Sequence, residues 1–368
     1  MGFEPNLSLK HCVLDEATVL SFGSGKNRGV SRPAGVFAAD GRYEPMGQCW
    51  RDTKGHTTAP TVAPKDEDIS ETLGGTWLFG GMLYAHFGHF LCESTARLWA
   101  LDLPGNKIDG VIFHPKARLP RMSRLLQPTK PWLMVAGCTL PVVAPPDPVR
   151  VERLIVPEQG FGTGDMVAGR PEYRDFVRRH FGAQIGAEGG EKLYISRSQL
   201  YSKRGRILGE TFLETALARE GYDIFHPQEH PIEVQVARYK AARHVISTDC
   251  SALHLSALFA KPTDRVAILA RRPGPTIGDF QAQYHAFCGL EPVIVNHLTA
   301  MHSLEGAKLA QMSETYAEAD FAMIQQSLLA GGFITGATPW ARPSAADLKA
   351  ELEIYAEKQG AAMQEIAL

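Results

Sequence analysis

From residue 192 to residue 269 the chain alternates between two local patterns, and this alternation constrains the fold more than any other feature. KLYIS, YDIFH, HVIST and RVAILA are short β-branched or aromatic runs; between them stand GETFLETALAREG, PIEVQVARYKAA and SALHLSALFA, which carry helical spacing. Gly221 supplies a stop after the first helix and Pro231 sits in the first turn of the next. Strands separated by helices of about ten residues predict a parallel sheet wound on both faces, an α/β class of Rossmann-like type.

The first half is less regular. Runs such as VIFH at 111 to 114 and RLIVP at 153 to 157 are interrupted by many Pro and Gly residues. We therefore expect a second α/β unit over residues 1–165 and the Rossmann-like unit over 166–300, with a helix near 171 to 181 leading toward it. Beyond Asn296, AKLAQMSETYAEADFAMIQQSLLA and AADLKAELEIYAEKQGAAMQ read as helices. Residues 301–368 are thus expected to form C-terminal helices that pack back on the body or make a homodimer contact.

With 368 residues and 44% hydrophobic content the chain can build two cores. A net charge of -2 gives no bulk attraction to nucleic acid, so an anionic ligand has to be met by a local cluster. The start, MGFEPNLSLKHCVLDE, lacks the basic and apolar regions of a signal peptide, and Asn6 stands where a myristoylation motif needs a hydroxyl. No apolar run approaches the roughly 20 residues of a membrane span. The six cysteines are scattered without a Cys-x-x-Cys pair, which predicts reduced thiols, no zinc site and a cytoplasmic location. GSGKNRG at 23 to 29 lacks the phosphate-loop spacing and reads as a turn.

Ligands of open parallel sheets sit beyond the carboxyl ends of the strands. After KLYIS comes RSQLYSKRGR, with Arg197, Lys203, Arg204 and Arg206; after HVIST comes DCS, ahead of a helix whose first N–H groups at Ser251 and Ala252 face outward. Guanidinium forks beside a helix N-terminus suit a diphosphate. The plainer reading is a solvated basic loop and an N-cap by Asp249 or Ser251. Cys250 and His254, four apart, also raise a thiol nucleophile.

A third pattern lies in YAHFGHFLCESTARLWAL, residues 84 to 101, read as one helix. His86, His89, Glu93 and Arg97 follow at steps of 3, 4 and 4, on a stripe about 80° wide beside an apolar face of Phe87, Phe90, Leu91, Leu98 and Leu101. Three readings stay open: a general base made of His89 held by Glu93, a metal site on His86, His89 and Glu93, and a partly exposed face laced by a Glu93–Arg97 or His89–Glu93 pair.

These segments together resemble glycosyltransferase family 61. HFGHFLCESTARLWAL is similar to the family's N-Y-Y-H-F-L-x-E-x-x-P-R-L at His89, Phe90, Leu91, Glu93, Arg97 and Leu98. YISRSQLYSKRGRILGE matches its S-R-x(n)-R-x-[IL]-x-N-E at Ser196, Arg197, Arg206 and Glu210. HPQEHPIEVQVARYKAARHVIST matches its P-E-x(n)-E-Q-x(n)-A-x-x-[IV]-[IV]-G at Gln235, Ala241 or Ala242, Val245 and Ile246, and DCSALHLSALFAKP matches its [HT]-G-[AS]-[AG]-L-x-N-x-x-F-x-x-P at Ser251, Ala252, Leu253, Phe259 and Pro262. The chain departs from the family at Asp249, Cys250, Leu255 or Ser256, and Gly209.

The resemblance implies a GT-B-like architecture, two Rossmann-like domains facing across a cleft, and metal-independent transfer with inversion from a nucleotide sugar, with no cofactor and a UDP-sugar as the first candidate donor. It implies His89 as base with Glu93, or Glu93 or Asp249 in reserve, and donor contacts from Arg197, Arg206, Glu210, Ser251, Ala252 and His254, supported by Arg97 and Gln235. Expected partners are the donor and a glycan or lipid-linked glycan acceptor of a bacterial surface polysaccharide (capsule, exopolysaccharide or lipopolysaccharide), met at the inner face of the membrane by peripheral association. The rival expectations are a hydrolase using Cys250 with His254 or the helix-borne metal, and a catalytically silent nucleotide-binding relative.

Overall fold

The computed structural model describes residues 4, 6–22, 31–105, 107–116, 123–200, 204–306, 314–337 and 339–368. The GSGKNRG stretch and Lys203 lie outside the described residues. The chain is a mixed α/β protein that divides into two compact units, Met1–Gln184 and Ile185–Leu368.

The first unit contains β1 (His11–Leu20), β2 (Arg32–Pro33), β3 (Gly35–Phe37), β4 (Thr58–Ala59), β5 (Glu71–Leu83), β6 (Gly110–Pro115), β7 (Val142–Val143) and β8 (Val149–Pro157). Among the described residues six of these form one mixed sheet, in the order β3-β1-β8-β5-β6-β7. β1 runs antiparallel to β3 and β8, whereas β5 is parallel to both β8 and β6. VIFH falls inside β6 and RLIVP inside β8, as their apolar character predicts. Val19, Phe79, Ile112, Leu154 and Val156 pack into its core.

The expected long helix over 84 to 101 is instead broken into three pieces. A single turn, α1 (Phe87–His89), runs into a π-helical turn at Phe90–Ser94, and a 3-10 turn follows at Leu98–Asp102. Local competition accounts for the break: the Thr95 hydroxyl donates to Leu91 O at 2.6 Å, and the Thr95 amide reaches back to Phe90 O at 3.3 Å. The apolar side is nonetheless buried, with Phe87 and Phe90 edge-on to Trp132 of α2 (Ser123–Val135). Helix α3 (Pro171–His180) belongs to this first unit, where Tyr173 stacks on Phe161 and its hydroxyl meets that of Thr95 at 2.6 Å.

The second unit carries the alternation read from the sequence: β9 (Lys192–Ile195), α4 (Glu210–Arg219), β10 (Asp223–Phe225), α5 (Ile232–Ala241), β11 (His244–Thr248), α6 (Ala252–Ser256), β12 (Arg265–Leu269), α7 (Thr276–Cys288) and β13 (Val293–Val295). The sheet is parallel throughout, in the order β10-β9-β11-β12-β13, which in chain order is 2-1-3-4-5. Strand order therefore reverses between β9 and β11. Tyr194, Leu213, Leu217, Ile246 and Ala267 share its core with Phe321 and Leu328.

The tail is not purely helical. β14 (Leu298–Leu304) pairs antiparallel with β15 (Tyr316–Ala319) and with β16 (Met363–Ile366), around α8 (Phe321–Ala330) and α9 (Ala345–Gln359). Tyr316 and Ala317, in the middle of a helix-forming composition, are buried in a strand, because pairing with Met301 and His302 outweighs local propensity. Among the described residues no helix is long and apolar enough to cross a membrane.

Candidate active site

In the first unit the sequence stripe closes around one histidine. His89 Nδ1 lies 2.5 Å from Glu93 Oε1, and His89 Nε2 lies 3.1 Å from Arg51 Nη2. Arginine can only donate, so Nε2 is the acceptor; the ring proton is then on Nδ1 and is donated to the carboxylate. That is the tautomer a general base needs, with its lone pair turned away from the group that holds it. The His89 side chain keeps 26% of its surface in solvent while that of Glu93 keeps 3%. Glu93 Oε2 is buried without a hydrogen-bond partner, so the carboxylate's pairing is concentrated on the imidazole.

The surroundings are aromatic and cationic. Tyr84, at the end of β5, stacks on His89 with ring centroids 5.1 Å apart; its hydroxyl is pushed well above the usual phenol range by burial, then by the Glu93 charge. Lys116, at the end of the neighbouring β6, holds its ammonium over Phe22 at 4.1 Å and over Tyr84 at 5.9 Å. Burial first, and Arg32 next, lower its pKa to about 8. Arg51, Tyr84 and Lys116 were not found by sequence reasoning, since Arg51 and Tyr84 reach His89, and Lys116 reaches Tyr84, from outside the helical stripe.

Arg97 does not pair with Glu93 as expected. It is 1% exposed, and its guanidinium donates to Met46 O, Gln48 O and Pro157 O, so it ties the turn at 46–48 to the end of β8. His86 lies beside His89, tilted and ring to ring at 5.0 Å, and among the described residues no three His, Cys, Asp or Glu side chains are gathered as a ligand set.

In the second unit the two strand ends singled out from the sequence are indeed neighbours, because Ser247 of β11 pairs with Ile195 of β9 at the point of strand reversal. The side chains there are employed differently from expectation. Arg197 directs Nε and Nη2 at Gly205 O (3.2 and 2.9 Å), and Arg206 directs both Nη groups at Ser198 O and Leu200 O while lying over Tyr355 at 4.7 Å. Both thereby shape the loop after β9. Glu210 fastens its root: Oε1 accepts from the Arg197 amide and from Tyr194 OH at 2.9 Å each, and burial raises its pKa. Glu214, unflagged in the sequence, accepts from Ser196 Oγ and Ser198 Oγ at 2.5 Å. Gln235 donates to Pro227 O and His230 O and holds the turn before α5.

Helix α6 is five residues long, so Ser251 and Ala252 open barely more than one turn, and its dipole adds little charge. Asp249 is fully buried, and its carboxylate accepts from the Arg271 amide at 3.1 Å and from Arg272 Nε at 3.2 Å, with Arg271 Nε also 3.2 Å from Oδ1, so two guanidinium groups occupy it as counter-ions. The Cys250 thiol is buried 3.6 Å from Ser247 Oγ, and His254 Nδ1 is 2.6 Å from Gln283 Oε1; both partners of the suggested thiol dyad are engaged elsewhere. Gly209 adopts φ +71 ahead of α4, a left-handed conformation that asparagine also tolerates, but an added Cβ would lie 2.8 Å from Pro343 Cγ, so packing against Pro343 favours glycine in this chain.

No curated protein matches the chain. The family model Glycosyltransferase 61 matches residues 87–267, a span that opens at α1, takes in His89, Glu93 and the loop after β9, and closes within β12. The residues built into both strand-end clusters thus fall largely inside one family pattern, and the chain belongs to glycosyltransferase family 61 and is a glycosyltransferase.

Proposed function

We propose that the chain moves a sugar from a nucleotide-sugar donor to a hydroxyl of a glycan acceptor, with inversion and without an essential metal. The observation that carries this reading is the His89–Glu93 pair, oriented with the Nε2 lone pair outward. The acceptor hydroxyl takes the place of Arg51 at Nε2 and gives up its proton there. Its oxygen forms a bond to the anomeric carbon as the bond from that carbon to the phosphate oxygen breaks, and the leaving electron pair stays on the diphosphate. Glu93 steadies the imidazolium so formed, and one displacement inverts the centre.

Donor binding is assigned to the strand reversal of the second unit, beside Arg197 and Arg206. A GT-B architecture belongs to the same proposal. A UDP-sugar is the first candidate donor, no cofactor is needed, and the acceptor is a glycan or lipid-linked glycan of a bacterial surface polysaccharide, reached at the inner face of the membrane; a homodimer belongs to the same proposal.

A thermal-shift screen with UDP, GDP, CMP and dTDP, with and without EDTA, is the first test. One diphosphate at 100 times its Kd stabilises by about 2.7 kcal/mol, and this shift is expected to survive EDTA. The product's anomeric configuration, read by NMR, then decides the stereochemistry. Binding without any turnover would identify a silent relative; retention of configuration would remove His89 from its proposed role.

A further inference from the structure

β12 ends at Leu269, and the chain continues Ala270, Arg271, Arg272. Because β12 lies parallel to β11, with Leu269 opposite Thr248, both arginines arrive at the residue that follows β11. Arg271 Nε donates to Asp249 O at 2.8 Å and its amide to Oδ2 at 3.1 Å; Arg272 Nε donates to Oδ1 at 3.2 Å. One carboxylate thus faces two guanidinium groups at the strand reversal, and the cluster keeps an excess of positive charge. Arg271 is 4% exposed at its side chain and its Nη1 is buried without a partner, while Arg272 is 18% exposed. Burial pulls the Arg271 pKa down to about 9 despite Asp249, and the charges of Arg197 and Arg272 pull in the same direction, so this corner favours a second anion. Arg197 and Arg206 direct their guanidinium groups at carbonyls of their own loop. Both new arginines also lie beyond the span matched by the family model, residues 87–267.

We infer that Arg272 is a diphosphate-binding residue of this chain: it exchanges Asp249 Oδ1 for a phosphate oxygen of the donor, and Arg271, locked to the Asp249 backbone, positions it. A carboxylate and a phosphate offer the same pair of acceptors to an arginine fork, so the exchange conserves geometry while a dianion replaces a monoanion. Asp249 stays paired with Arg271 through the exchange and no buried charge is left alone. The inference rests on the donor reading above.

The test is calorimetric titration of the full chain with UDP, GDP, dTDP, the matching nucleosides and inorganic pyrophosphate. Arg272→Gln is expected to weaken the nucleoside diphosphate that binds and pyrophosphate by about tenfold or more, the usual effect of losing one charged hydrogen bond, with nucleoside binding unchanged. Arg272→Lys, which keeps the charge and loses the fork, is expected to fall between. Asp249→Asn, which removes the competing carboxylate, is expected to bind at least as tightly as the unaltered chain. If the unaltered chain binds a diphosphate and Arg272→Gln binds it within twofold, Arg272 has no such role and the donor reading stands. If the unaltered chain binds no diphosphate and no pyrophosphate, the donor reading falls and the inference falls with it.

Discussion

Glu93→Gln is the substitution that probes the proposed base most sharply, because it preserves shape and removes only charge and one acceptor. In one amide orientation the oxygen faces His89 Nδ1 and the NH2 group occupies the place of Oε2, which is buried with no hydrogen-bond partner. An unsatisfied buried donor costs about 1–3 kcal/mol. In the other orientation the amide nitrogen donates to Nδ1, the ring proton moves to Nε2, and the base lone pair disappears; Nε2–H then faces the Arg51 N–H group that now lies 3.1 Å away. Each orientation thus carries an unfavourable contact of its own, so the two are comparable and the working tautomer falls a few-fold. Loss of the carboxylate opposite the imidazolium adds about another tenfold. We expect kcat at saturating donor and acceptor to drop about 10–10²-fold, up to the lower end of a general base's contribution, while the Kd for the donor nucleotide is unchanged. His89→Ala should lose a similar factor and the double variant little more, since the two residues act as one unit. A Glu93→Gln enzyme with kcat within threefold of the unaltered one would refute the assignment.

Two further outcomes follow from packing and burial. His114 is fully buried with neither ring nitrogen hydrogen-bonded, and burial, helped by the Arg97 charge, lowers its pKa from 6.5 to about 3. The unfolded chain therefore binds the extra proton first, and stability is lost as pH falls below 6.5, by about 2 kcal/mol between pH 8 and pH 5; urea titrations of His114→Leu against the unaltered chain should show that acid loss removed, and equal slopes would count against it. At Gly205 an added Cβ would lie 2.1 Å from Thr315 O, a backbone atom that cannot yield, so Gly205→Ala should displace the carbonyl that Arg197 holds and lower stability by about 2–4 kcal/mol, read by thermal melting of the chain; an unchanged melt would mean that the loop relaxes freely.

The amino-acid sequence alone determined the second unit's sheet, because each strand and helix there is specified within about ten residues by side-chain period and by stop signals such as Gly221. It also paired His89 with Glu93, since four-residue spacing brings the two together in a helical turn even where the helix is irregular. What it could not carry was anything decided by partners distant in the chain. Arg97 looked like a companion of Glu93, yet the carbonyls of Met46, Gln48 and Pro157 surround its guanidinium and outcompete the carboxylate. The tail looked helical, yet β14 lends an edge to Tyr316–Ala319 and to Met363–Ile366. Arg271 and Arg272 stood in plain view after RVAILA; they gained meaning only when β12 came to lie beside β11 and set both against Asp249. Local hydrogen-bond periodicity is written into neighbouring residues, whereas the pairing of charges depends on which strands become adjacent, and that is settled by burial of the whole sheet.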